Sequence, residues 1–271
     1  MDLVPLIIAM LTAGLAAGFL AGLLGVGGGI VVVPALFFAL GFLGVDEAIR
    51  MQIAVGSSLA TIVCTGFISA KSHYAKNNVN TDALKGWLLP IGLGVALGSV
   101  VASYLNSTDL ALIFGVVAFL VACWLTFAKV AESDEGLKRP SLSVWYSSGG
   151  FVGFISALMG IGGGTISVPL LTWMGEKVHR AVGTSAAIGV AIGLIGTLGF
   201  IITGWRVQGL PMGSVGFVNL IAVAAIIPTS MLMAPVGARV VTLLAPKTVR
   251  IMFACFLLLV SFNMIRRGLG F

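Results

Sequence analysis

Acidic side chains are scarce in this chain: nine Asp and Glu stand among 271 residues, beside 15 Lys and Arg, two His and three Cys. None of the acids falls in the middle of an apolar run. Asp46, Glu47, Asp82, Asp109 and Glu176 all lie at run ends or between runs. A carboxylate inside a membrane is costly and is kept for function, so its absence argues against a cation site and against a carboxylate proton relay. It also removes the acid–base pairs and ligand clusters that enzyme or metal chemistry within a membrane needs, and no cofactor is implied. His73 and His179 are isolated near run ends. Cys64, Cys123 and Cys255 share no close spacing and read as small core residues rather than metal or redox groups. The start, Met1-Asp2-Leu3-Val4-Pro5, has no basic n-region, which speaks against a cleaved signal peptide.

What is present is apolar length. The chain is 59% hydrophobic and 9% charged, with a mean hydropathy of +1.14, whereas a soluble domain is about a quarter charged. Many runs reach the roughly 20 residues needed to span a bilayer. The chain therefore reads as an all-α polytopic membrane protein. Its net charge of +6 is explained by basic loops rather than by nucleic acid. Apolar segments fall at 4–24, 30–44, 52–70, 87–105 and 109–128, then at 145–160, 165–174, 181–203, 212–236 and 248–265. The polar stretch 129–144 links a first repeat, 1–128, to a second, 145–271.

The repeat is legible in motifs. Gly25-Val26-Gly27-Gly28-Gly29, closed by Pro34, recurs as Gly160-Ile161-Gly162-Gly163-Gly164, closed by Pro169, at an offset of 135. Ala54-Val55-Gly56-Ser57-Ser58 recurs as Ala181-Val182-Gly183-Thr184-Ser185 at an offset of 127, and Gly98–Phe114 tracks Gly237–Phe253 at 139. Five segments per copy is an odd number, so the second copy is expected to be inverted. Loop charges agree: 11 of the 15 Lys and Arg fall on the side reached after odd-numbered segments. Eight spans in parallel copies would split them nine to six. The inverted reading puts both termini in the periplasm and the linker in the cytoplasm. A re-entrant hairpin of the first two segments gives the same sidedness as two spans, so both remain open.

Three glycines in a row with a nearby proline predict a helix break near the membrane midplane. Such breaks at matching positions of two halves point to a transporter's binding site. Helix N-termini present free amides and partial positive charge, which suits an anion. The expected substrate contacts are Gly27, Gly28, Gly29, Gly162, Gly163 and Gly164, with Gly25, Pro34, Gly160 and Pro169 shaping the breaks. Ser57, Thr61, Thr65 and Ser69 follow one helix face, and Ser185, Gly189, Gly193 and Thr197 form a similar stripe. Close helix packing explains such stripes as well as ligand contact does. Ser57, Ser58, Thr184 and Ser185 occur at equivalent places in both copies and are read as substrate donors. Lys71 and Arg206, at segment ends, would steer or gate the anion.

With the paired glycine breaks, the A-V-G-[ST]-S segments and Gly209-Leu210-Pro211-x-Gly213-Ser214-x-Gly216-Phe217-Val218-Asn219, the chain resembles the sulfite exporter TauE/SafE family over about residues 10–265. Val79-Asn80-Thr81 reads as a degenerate counterpart of Gly209-Leu210-Pro211. The resemblance implies export of sulfite, or of an organosulfonate such as sulfoacetate, across the bacterial inner membrane by alternating access. Two rival readings are a non-transporting membrane scaffold or sensor and a transporter of a neutral sulfur metabolite. The partners implied are the anion and the lipid bilayer, with no nucleic acid.

Overall fold

The computed structural model describes residues 3–24, 28–127, 137, 140–243 and 246–270. Among them ten helices fall on the ten apolar segments. The first five are α1 (Leu3–Leu24), α2 (Gly29–Phe42), α3 (Glu47–Ala75), α4 (Thr81–Tyr104) and α5 (Ser107–Phe127). The second five are α6 (Leu142–Met159), α7 (Gly164–Trp173), α8 (Val178–Gly204), α9 (Leu220–Thr242) and α10 (Pro246–Gly268). Seven of them, α3 to α6 and α8 to α10, are long and apolar enough to cross a membrane. The chain is an all-α, multi-pass membrane protein.

Two expected boundaries shift. Residues 212–219 do not open the ninth segment. Strands β1 (Ser214–Val215) and β2 (Val218–Asn219) pair there as a small antiparallel ribbon. Gly213 and Gly216 supply its positive φ angles, 80° and 56°. The Asn219 side chain then caps α9 by accepting from the Ala222 amide at 2.8 Å. Pro34 and Pro169 also stand elsewhere than expected. Both lie inside the helix after the break, in α2 and α7, while the glycines alone make the break. A proline there removes one intrahelical bond but keeps a helical φ, so the helix continues through it.

Helix α2 has 14 residues and α7 has 10. At 1.5 Å per residue they are about 21 and 15 Å long, short of a roughly 30 Å hydrocarbon core. Each is a half-helix preceded by a longer one.

The long helices pack in an exchanged pattern between the halves. Helix α1 lies against α9 and α6 against α4, while α3 faces α8 and α5 faces α10. Gly18 sits so close to Ser230 that a Cβ would strike its backbone, and Gly153 sits in the same way on Ile91. These are corresponding residues, 18 with 153 and 230 with 91, under the offsets of 135 and 139. One layer away, Gly14 meets Thr229 and Gly149 meets Pro90. Lipid tails are as apolar as side chains, so close van der Waals packing holds such helices together, and small residues permit it. Trp87 and Trp145 seal the α4–α6 seam with ring centroids 5.3 Å apart.

The cysteines depart from expectation. Cys64 and Cys255 are exposed and Cys123 is half-buried, because an apolar residue on a membrane helix is as comfortable facing lipid as facing the core.

This seam makes a discriminating pair of substitutions. Gly153→Ala drives a methyl into the Ile91 carbonyl and should cost about 1–3 kcal/mol in stability. Gly150→Ala meets only the Pro90 carbonyl at 3.6 Å, an ordinary contact, and should be neutral or stabilising. Thermal unfolding of the two purified variants checks both.

Candidate functional site at the paired helix breaks

Both half-helices start alike. The Gly28 carbonyl accepts the amides of Val31 (3.0 Å) and Val32 (2.9 Å), and the Gly163 carbonyl accepts those of Ile166 (3.0 Å) and Ser167 (2.6 Å). Gly28 and Gly163 are the N-caps of α2 and α7, at φ 69° and 78°. Gly160 ends α6 in the left-handed region at φ 67°. Side chains other than glycine are strained there, which is why those three positions are glycine. The first two amides of each half-helix, Gly29 and Ile30 or Gly164 and Thr165, have no helical acceptor, as at any helix start.

The two breaks meet. Gly29 packs on the Gly160 carbonyl and Ile161, and the Ile62 side chain rests on both Gly29 and Gly162. Gly189 of α8 packs on the Gly162 carbonyl, and Ile188 and Ile192 close over Gly163. The structure therefore brings Gly28, Gly29, Gly160, Gly162, Gly163 and Gly164 to one place between α3 and α8. Gly25 and Gly27 lie outside the described residues.

The four hydroxyls divide. Ser58, fully buried, donates to the Gly160 carbonyl at 2.7 Å and so ties α3 to the other half's break. Ser185 donates to Val182 in its own helix at 2.8 Å. Ser57 and Thr184 are acceptors at two equivalent crossings, and Thr184 also donates to the Arg180 carbonyl at 2.7 Å. Ser57 Oγ accepts the Asn219 amide at 2.9 Å, and Thr184 Oγ1 accepts the Asn80 amide at 2.8 Å. Both asparagines also cap the helix that follows, Asn80 on the Ala83 amide and Asn219 on the Ala222 amide. Asn80 therefore corresponds to Asn219 at the offset of 139, which replaces the alignment of Val79-Asn80-Thr81 with Gly209-Leu210-Pro211. A second acceptor on Asn80 is Glu176, whose carboxylate takes a bond from the amide nitrogen Nδ2. Glu176 is buried to 4% exposure beside Arg180 at 3.7 Å, so this end-of-segment acid is a structural anchor.

Lys71 and Arg206 are exposed at helix ends and do not line the breaks. The structure puts forward a different basic pair. Arg50, Arg267, Phe37, Phe38, Gly41 and Phe42 line a cavity of about 330 Å³ at the far end of α2. Arg50 is anchored by the Val45 carbonyl (2.8 and 3.3 Å) and lies 5.5 Å from the Phe37 ring centre. Arg267 lies 5.6 and 5.5 Å from the Phe37 and Phe38 rings, with exposed Glu47 at 3.9 Å. These residues are 217 positions apart in sequence, and no spacing rule connects them. Among the described residues, no cluster of three His, Cys, Asp or Glu is close enough to hold a metal ion.

Comparison with known proteins gives the arrangement its context. A probable membrane transporter protein of Haemophilus influenzae is 36% identical, over 95% of this chain and 97% of its own length. Probable membrane transporter proteins of Methanocaldococcus jannaschii and Bacillus subtilis are 30% and 27% identical, over 94% and 96% of this chain and 92% and 97% of their own lengths. No solved structure matches. The model of the family described as sulfite exporter TauE/SafE matches residues 10–264. The chain belongs to that family of membrane transporters.

Proposed function

We propose that this protein exports a small sulfur oxyanion, sulfite or an organosulfonate such as sulfoacetate, across the inner membrane by alternating access. The observation that carries the reading is the meeting of two broken helices, one from each half, whose first amides have no helical acceptor, at a junction with no acid among the described residues. Neutral donors of this kind stabilise an anion. The family's description supplies the sulfur chemistry. The halves are taken as inverted repeats, 1–128 and 145–271, joined by a cytoplasmic linker, with both termini periplasmic. The 11-to-4 division of basic residues supports that orientation. On this topology the Arg50–Arg267 cavity opens to the periplasm, where it would hold an arriving or departing anion. An inside-negative potential favours outward movement of negative charge, so uniport suffices energetically.

Three outcomes are expected. A cysteine introduced at Ser133 should resist a membrane-impermeant thiol reagent in intact cells and react once the cells are opened; labelling in intact cells would reverse the orientation. In proteoliposomes loaded with labelled sulfite, Gly28→Ala and Gly163→Ala should lose most transport while remaining inserted and monodisperse. Normal transport by both would remove the breaks as the site. Arg267→Gln should raise the apparent KM from the cavity side and leave the maximal rate, an effect that shrinks as salt screens the charge.

A further inference from the structure

The starts of the two half-helices share a backbone but differ in what surrounds it. In the first copy the positions flanking the glycines carry Ala21, Ile30 and Val32. In the second, the corresponding positions carry Ser156, Thr165 and Ser167. Ile30 and Val32 are buried apolar side chains at 1% and 4% exposure. Thr165 and Ser167 are buried too, at 6% and 0%. The Ser167 hydroxyl has no hydrogen-bond partner, and neither does that of Ser156, itself 0% exposed. Ser167 Oγ points at the break: it would lie 3.2 Å from a Cβ placed on Gly163. A buried hydroxyl left unpaired destabilises the protein that carries it, so it calls for an explanation. Thr61, Thr65, Thr172 and Thr197 all satisfy themselves on a carbonyl of their own helix. Ser167 does not.

We propose that the transported oxyanion is held on one side of the junction, against the start of α7, by the Ser167 and Thr165 hydroxyls together with the Gly164 and Thr165 amides. This rests on the anion-transport reading above and assigns its binding atoms. The start of α2 offers no hydroxyl, since Ile30 and Val32 stand where α7 has Thr165 and Ser167. All four groups are donors, so the ligand class is a small anion with several acceptor oxygens. Ile62, Ile188 and Ile192 form apolar walls beside Gly162 and Gly163. Ser57, Ser58, Thr184 and Ser185 then hold the frame around the site, through the bonds already described.

Sulfite binding to the purified full-length protein in nanodiscs, measured by titration calorimetry, tests the assignment alongside ligand-free thermal stability. Ser167→Ala and Thr165→Val should each weaken sulfite binding by about ten- to a hundredfold. The melting temperature of ligand-free Ser167→Ala should stay the same or rise, because an unpaired buried group has been removed. Thr172→Val, which removes a hydroxyl bonded to the Val168 carbonyl within α7 and away from the break, should keep wild-type affinity. Undiminished affinity in Ser167→Ala overturns the assignment. So does an affinity loss that comes with a lower ligand-free melting temperature, which would make Ser167 a packing residue. A wild-type protein that binds no sulfite would instead bring down the transport reading itself, and this inference with it.

Discussion

A peptide group released from a helix inside a bilayer has no water to bond to, and leaving it bare costs several kcal/mol. That constraint explains why the two halves of this protein depend on each other. Each half opens with a helix that stops at a glycine run, and the bare backbone there survives only if protein surrounds it. The cover comes from across the junction. Ser58 of the first half bonds the Gly160 carbonyl of the second, and Ile62 lies over Gly29 and Gly162 together. Either half alone would lose that part of the cover.

The same dependence recurs at a second level, at the two asparagine crossings. Asn219 delivers its amide to Ser57 of the other half, and Asn80 delivers its own to Thr184. Next to each crossing a glycine lets the backbones touch: Gly56 against the Phe217 carbonyl and Gly183 against that of Asn78. The long helices α3 and α8 are thus pinned at one end by a loop of the opposite half, while their middles frame the breaks. A shift of one half relative to the other must therefore act on the crossings and on the junction together. That is the kind of linked contact a two-state carrier needs.

Much of this was legible in the sequence because glycine runs punctuate apolar helices with few alternatives. The offset of 135 located both breaks, and the apolar runs located all ten helices. Spacing could not show where a hydroxyl points. Ser57 and Thr184 are equivalent by position, as expected, but their equivalence is that of two acceptors for loop amides some hundred or more residues away. Spacing pairs Asn80 with the wrong tripeptide because the loop before α9 carries an extra β-ribbon that the loop before α4 lacks. The cysteines were placed in the core by a rule for water-soluble proteins, and lipid makes that rule void. Ser167 looked unremarkable because only its missing partner sets it apart, and partners are a property of the fold.

The scarcity of charge along the helices has its own consequence for the proposed cycle. A resident cation at the junction would bind an anion tightly, but it would have to be desolvated permanently and would hold its ligand against release. Amides and hydroxyls avoid both costs. They also leave the empty junction neutral, so its return between the two orientations moves no fixed charge through the membrane potential. Only the loaded state then feels the field, and the field pushes its negative charge outward. The guanidinium groups of Arg50 and Arg267 lie at the end of α2, away from the junction, where on the proposed cycle they would gather anions without entering the moving part. A carrier without intramembrane charge is in this sense rectified by its substrate: the loaded step is biased in one direction and the empty step is not.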